Sequence, residues 1–253
     1  MKKPFAFLCS GLLGLLLTPP AAHAQLSNDL IMETYNSNIS VITNGAINKS
    51  VLDKAIARNN AGRTGNAANR SIGANRSTAA SASTAYTPTP ALRQQTVQGF
   101  VSRLKASNPA ASQAIAANFG PGKYDYSKIY RDLTQDVGLR ENDATDVLAS
   151  YMILGWMIVN NVTNDKAVTA PMAQGLRTQL APLLADNPQA RTHAAQVGEE
   201  MKLQTVVVHS GWQSAIKQGK LTAYRQGINT MFKTQYGMDM TQFKLTSQGF
   251  AKK

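Results

Sequence analysis

The stretch NDATDVLASYMILGWMIVN, residues 142–160, decides the fold. Asn142 or Asp143 supplies an N-cap side chain, and Asp146 places negative charge in the first turn, where the helix dipole favours it. From Val147 to Val159 the chain is apolar almost all round, the pattern of a helix buried on every side. These thirteen residues fall short of the roughly twenty that cross a bilayer, so the segment reads as a central core helix. Gly155, inside it, marks a place where a neighbouring helix approaches closely.

Amphipathic stripes flank this helix on both sides. Upstream, Val97, Phe100, Val101 and Leu104 recur at helical spacing. Ser107 or Asn108 with Pro109 ends that helix and starts another, which Gly120-Pro121-Gly122 stops. Tyr126, Ile129, Tyr130, Leu133 and Val137 mark a third, closed by Gly138. Downstream, Met172, Leu176, Leu180, Leu183 and Leu184 form one stripe. After Asp186-Asn187-Pro188, the residues Val197, Met201, Val208 and Trp212 form one face of a long helix running to about Gln218. Leu221, Tyr224, Ile228, Met231 and Phe232 complete the set before Gly237. The tail carries Phe243, Leu245 and Phe250, expected to pack across the bundle. No strand is apparent. The expected fold is all-α, a single irregular bundle of six or seven helices over residues 91–253.

The N-terminal third has a different character. Lys2 and Lys3, the apolar run Phe5 to Leu17, and Ala22-His23-Ala24 together read as a secretory signal over residues 1–24, cleaved after Ala24. The expected location is therefore the periplasm or the medium. Cys9, the only cysteine, lies inside the signal, so a mature chain of 229 residues (253 minus 24) has neither disulfide nor thiol chemistry. Loss of Lys2 and Lys3 takes the formal charge from +12 to +10. Residues 25–60 form a mixed segment suited to docking. Residues 61–90 are rich in Ala, Asn, Ser and Thr and bury too little to offset chain entropy, so they read as a disordered basic linker.

Reactive side chains are scarce. Of the histidines left after the signal, His193 and His209 are expected on one helix, and sixteen residues of helix set them on nearly opposite faces. No HExxH, GxSxG or P-loop occurs, and no metal or cofactor is expected. Glu199-Glu200 is the densest acidic spot and the one candidate for a catalytic acid. Adjacent helical residues point about 100° apart, so the two do not converge, and the plainer reading is a solvated face. Lys217, Lys220, Arg225 and Lys233 are the nearest approach to a basic stripe, too thin for a groove-reading element.

Three segments resemble a family of secreted proteobacterial proteins classed as a domain of unknown function. They are Tyr86-Thr-Pro88-Thr-Pro90-Ala-Leu-Arg93, the opening of the central helix at Asn142 to Val147, and the late stretch Tyr236 to Phe250. The resemblance implies a signal peptide and polar linker ahead of a helical domain, and it brings no activity or catalytic residue. Together these readings lead to a non-enzymatic binding or structural protein of the bacterial envelope. Its expected partner is an envelope protein or an anionic envelope component rather than nucleic acid, with no transmembrane span in the mature chain. The alternatives are an envelope glycan-cleaving enzyme using Glu199 or Glu200, and an accessory subunit of a secretion or conjugation apparatus.

Overall fold

A computed structural model of the chain describes residues 56–57 and 83–253. The signal, most of segment 25–60 and the linker through residue 82 lie outside the described residues. The described chain is an all-α irregular bundle with eight α-helices: α1 (Pro90–Ser107), α2 (Pro109–Phe119), α3 (Tyr126–Thr134), α4 (Ala144–Val159), α5 (Ala170–Ala185), α6 (Pro188–Thr192), α7 (Ala194–Lys217) and α8 (Leu221–Tyr236).

Local chemistry sets the helix ends. Asn108 ends α1 and caps α2, its side chain accepting from the Ala111 amide. Asp125 caps α3 and Asp143 caps α4, each through its carboxylate. Asn187 caps α6 with Pro188 in the first turn. Gly138 and Gly237 take the left-handed conformation that closes the α3 region and α8.

The central pair is α4 and α7, packed on each other. On its other sides α7 meets α1, α3 and α8, while α4 meets α5 and α8. Nearly all of α4 is buried, as its apolar sequence requires. Gly155 lies under the Phe232 ring of α8, where a Cβ would sit 2.1 Å from Phe232 Cε2. Ile56 is also buried in this core.

Three expectations need correction. The tail is not strand-free: β1 (Phe243–Thr246) and β2 (Gly249–Lys252) form an antiparallel hairpin against α5. Gln179 of α5 anchors it, donating to the Phe250 carbonyl and accepting from the Phe250 amide. The expected long helix from Pro188 to Gln218 breaks at His193, giving α6 and α7 and raising the helix count to eight. Finally, the linker does not run to residue 90. Residues 83–89 form an ordered strap, with Ala85 bridging Asp143 antiparallel. The Tyr86 amide donates to the Asn142 carbonyl at 2.9 Å and the Ala144 amide to the Thr84 carbonyl at 3.0 Å.

Candidate functional site

The site grows from α7, which is buried along most of its length. A lysine or glutamate in such a helix must find partners or bear a large desolvation cost. Glu199 and Glu200 are 0% and 2% exposed, so the solvated-face reading is overturned. They diverge as helical geometry demands. Glu200 faces α1, with Arg103 at 3.6 Å from Oε1, and Gln196 donates to the same oxygen at 3.5 Å. Glu199 faces α3 and the strap.

Both Glu199 oxygens are engaged. Oε1 accepts from Tyr86 Oη at 3.0 Å and from Lys202 Nζ at 2.7 Å. Oε2 accepts from Tyr126 Oη at 2.7 Å and has Arg93 Nε at 3.6 Å. Lys202, one turn along, is fully buried. Its three donors are matched by Glu199 Oε1, Asn142 Oδ1 at 2.8 Å and Ser127 Oγ at 3.3 Å. The ammonium also lies 5.3 Å from the centre of the Tyr86 ring and 5.9 Å from that of Tyr130, within cation–π reach.

Burial drives the electrostatics of this cluster. It raises the Tyr86 and Tyr126 hydroxyls well above the ordinary phenol range, and the neighbouring Glu199 charge adds to both shifts. These tyrosines therefore stay protonated as donors. Burial lowers the Lys202 ammonium, and the Glu199 charge opposes that shift.

The strap completes the cluster and is held by it. The Tyr86 ring rests on Gly198, where a Cβ would lie 2.4 Å from Tyr86 Cε1. Thr84 Oγ1 donates to Asp143 Oδ1 at 2.7 Å. Asp143 also accepts from Arg140 at 2.7 Å, and Asp146 pairs with Arg140 and Arg177. Asp143 and Asp146 are thus bound into the strap anchor and the first turn of α4.

The remaining candidates scatter. His193 is exposed at the α6–α7 junction, while His209 lies far along α7 beside Trp212. Burial lowers the His209 pKa to about 4. In the basic stripe, Arg225 donates to the Val159 carbonyl and Lys233 pairs with Asp239 at 2.8 Å, leaving Lys217 and Lys220 exposed. Among the described residues no group of three or more His, Cys, Asp and Glu is placed to hold a metal ion. No described helix is long and apolar enough to cross a membrane.

Sequence reasoning missed Lys202, Tyr86 and Asn142. One signal was available: Glu199 and Lys202 stand at i, i+3 in a run that also holds Met201, Leu203 and Val206. Comparison with known proteins finds no match among family models, curated proteins or solved structures.

Proposed function

We propose that the chain is a non-enzymatic exported protein of the bacterial envelope, a helical binding domain that holds a basic N-terminal arm at a fixed point on its surface. The observation that carries this reading is the strap. Tyr86 and Thr84 are fastened to Glu199, Asn142 and Asp143, so the chain enters α1 from one defined place on the domain. The same contacts occupy the carboxylate that a glycan-cleaving mechanism would require to face substrate. The signal-like N-terminus and the resemblance to secreted helical proteins support an extracytoplasmic address.

Charge supports an anionic partner. Folding hides Asp143, Asp146, Glu199 and Glu200, but Lys202 is the only cation among the buried described residues. The exposed surface is therefore more basic than the composition suggests, which favours association with phosphate- or carboxylate-bearing envelope components.

Co-sedimentation with purified peptidoglycan and with vesicles containing anionic lipid tests the reading. The chain from Gln25 is expected to sediment with one of them, and a chain beginning at residue 61 to lose most of that binding. Equal sedimentation of the two chains would remove the arm from the account. Clearing of a peptidoglycan suspension by the wild type but not by Glu199→Gln or Glu200→Gln would replace it with the enzymatic reading.

A further inference from the structure

Lys202 and Asn142 meet in an arrangement that goes beyond a salt bridge. Nζ of Lys202 is 2.8 Å from Asn142 Oδ1, which puts the amine nitrogen within about 4 Å of the amide carbon, close to attack distance. Glu199 Oε1 lies 2.7 Å from the same Nζ, within direct proton-transfer reach. Tyr86 and Tyr130 cover the amine with their rings. The strap fixes the backbone that carries the electrophile, because the Asn142 main-chain carbonyl accepts from the Tyr86 amide. An amine nucleophile, a primary amide and a buried carboxylate are thus assembled from two segments, the loop before α4 and α7, with Asn142 and Lys202 60 positions apart in sequence.

We propose that this is a self-modification site, at which Lys202 forms an isopeptide bond with Asn142 and Glu199 carries the protons. In the first step the Lys202 ammonium gives a proton to the Glu199 carboxylate, leaving a neutral amine beside a neutral acid. Burial favours that transfer, since it lowers the Lys202 ammonium toward its neutral form. The amine lone pair then attacks Asn142 Cγ, forming the N–C bond while the carbonyl electrons move to Oδ1. The tetrahedral centre collapses, the C–Nδ2 bond breaks, and Nδ2 leaves as ammonia with the proton returned by Glu199. A remaining proton from the former amine passes to Glu199. The balance is one ammonium, one carboxylate and one primary amide converted to one secondary amide, one carboxylic acid and one ammonia. No oxidant, metal or cofactor is consumed. The reaction is a single-turnover event within one chain.

The bond would tie the loop before α4 to α7, the two central helices of the bundle. Such a staple suits a chain whose single cysteine allows no internal disulfide.

Peptide mapping of the purified protein decides the matter. Intact mass alone is insufficient: the bond removes about 17 Da as ammonia, but an N-terminal Gln25 loses the same mass on cyclising. Trypsin does not cut after an acylated lysine, so the expected product is a branched species joining residues 141–166 to residues 192–217 through Lys202 and Asn142. Glu199→Gln is expected to yield separate linear peptides, with cleavage after Lys202, and Asn142→Ala the same. Asn142→Asp is expected to give the identical branched product with loss of water in place of ammonia. Complete cleavage after Lys202 in the wild type, with no branched species, would overturn the proposal whatever the variants do. A branched species formed equally by Glu199→Gln would overturn the proton-carrying role.

Discussion

Tyr86 donates its hydroxyl to Glu199 across 113 residues of sequence while the hydroxyl end of its ring packs against Gly198. This pairing makes the strap part of the domain. Gly198→Ala puts a methyl group 2.4 Å from Tyr86 Cε1 and 2.5 Å from its hydroxyl, so the ring must leave. The expected cost is about 1–3 kcal/mol in urea unfolding, together with new protease cleavage between residues 83 and 89. Tyr86→Phe removes only the hydroxyl and should cost less, about 1 kcal/mol, without exposing the strap.

Gly155 and Phe232 form a second close approach, between α4 and α8. Gly155→Ala is expected to destabilise by about 2 kcal/mol or more, since the ring atom it meets lies at 2.1 Å in a packed core. Adding Phe232→Leu should recover part of that loss. A double-mutant cycle by chemical denaturation would then show a coupling of about 1 kcal/mol, whereas strict additivity would separate the two sites.

Acid should destabilise the bundle through His209. Burial depresses its pKa to about 4, and its Nδ1 has no hydrogen-bond partner. The unfolded chain takes up this proton near pH 6.5 and the folded one only near pH 4, so stability falls as pH drops through that window. The loss is on the order of 3 kcal/mol by its lower end. His209→Leu should flatten that limb of the stability curve measured between pH 7 and 4.

Asp146 is buried between two arginines from different elements, Arg140 ahead of α4 and Arg177 on α5. Asp146→Ala takes the carboxylate from Arg177 and leaves Arg140 only Asp143, and is expected to cost about 3–5 kcal/mol. Asp146→Asn keeps an acceptor oxygen and should cost less. Thermal melts of the two variants give the ordering directly.

The helices were legible because their information is local. The stripes at Val97–Leu104 and Met172–Leu184 carry their own periodicity, and Asn108-Pro109, Asp143 and Gly237 carry their own stop and start chemistry. The strap was not legible because Thr84 and Tyr86 gain their order from residues 59 to 113 positions away. Its composition, taken alone, is that of a linker. The hairpin escaped notice for a related reason: its strands are four residues long and its turn is Ser247-Gln248, without the Asn-Gly type of signal. Glu199 and Glu200 looked like a solvated pair because nothing nearby in sequence announces Tyr126, Arg103 or the strap as partners. Only Lys202, three residues on, was close enough to hint at burial.

Amide hydrogen exchange across residues 83–92 and at Ala144 tests the fastened strap most directly. The Tyr86 and Ala144 amides donate across the strap to Asn142 and Thr84, so both are predicted to exchange as slowly as the core of α1. Exchange of Tyr86 at the rate of an unstructured peptide, with protection beginning only within α1, would contradict the account.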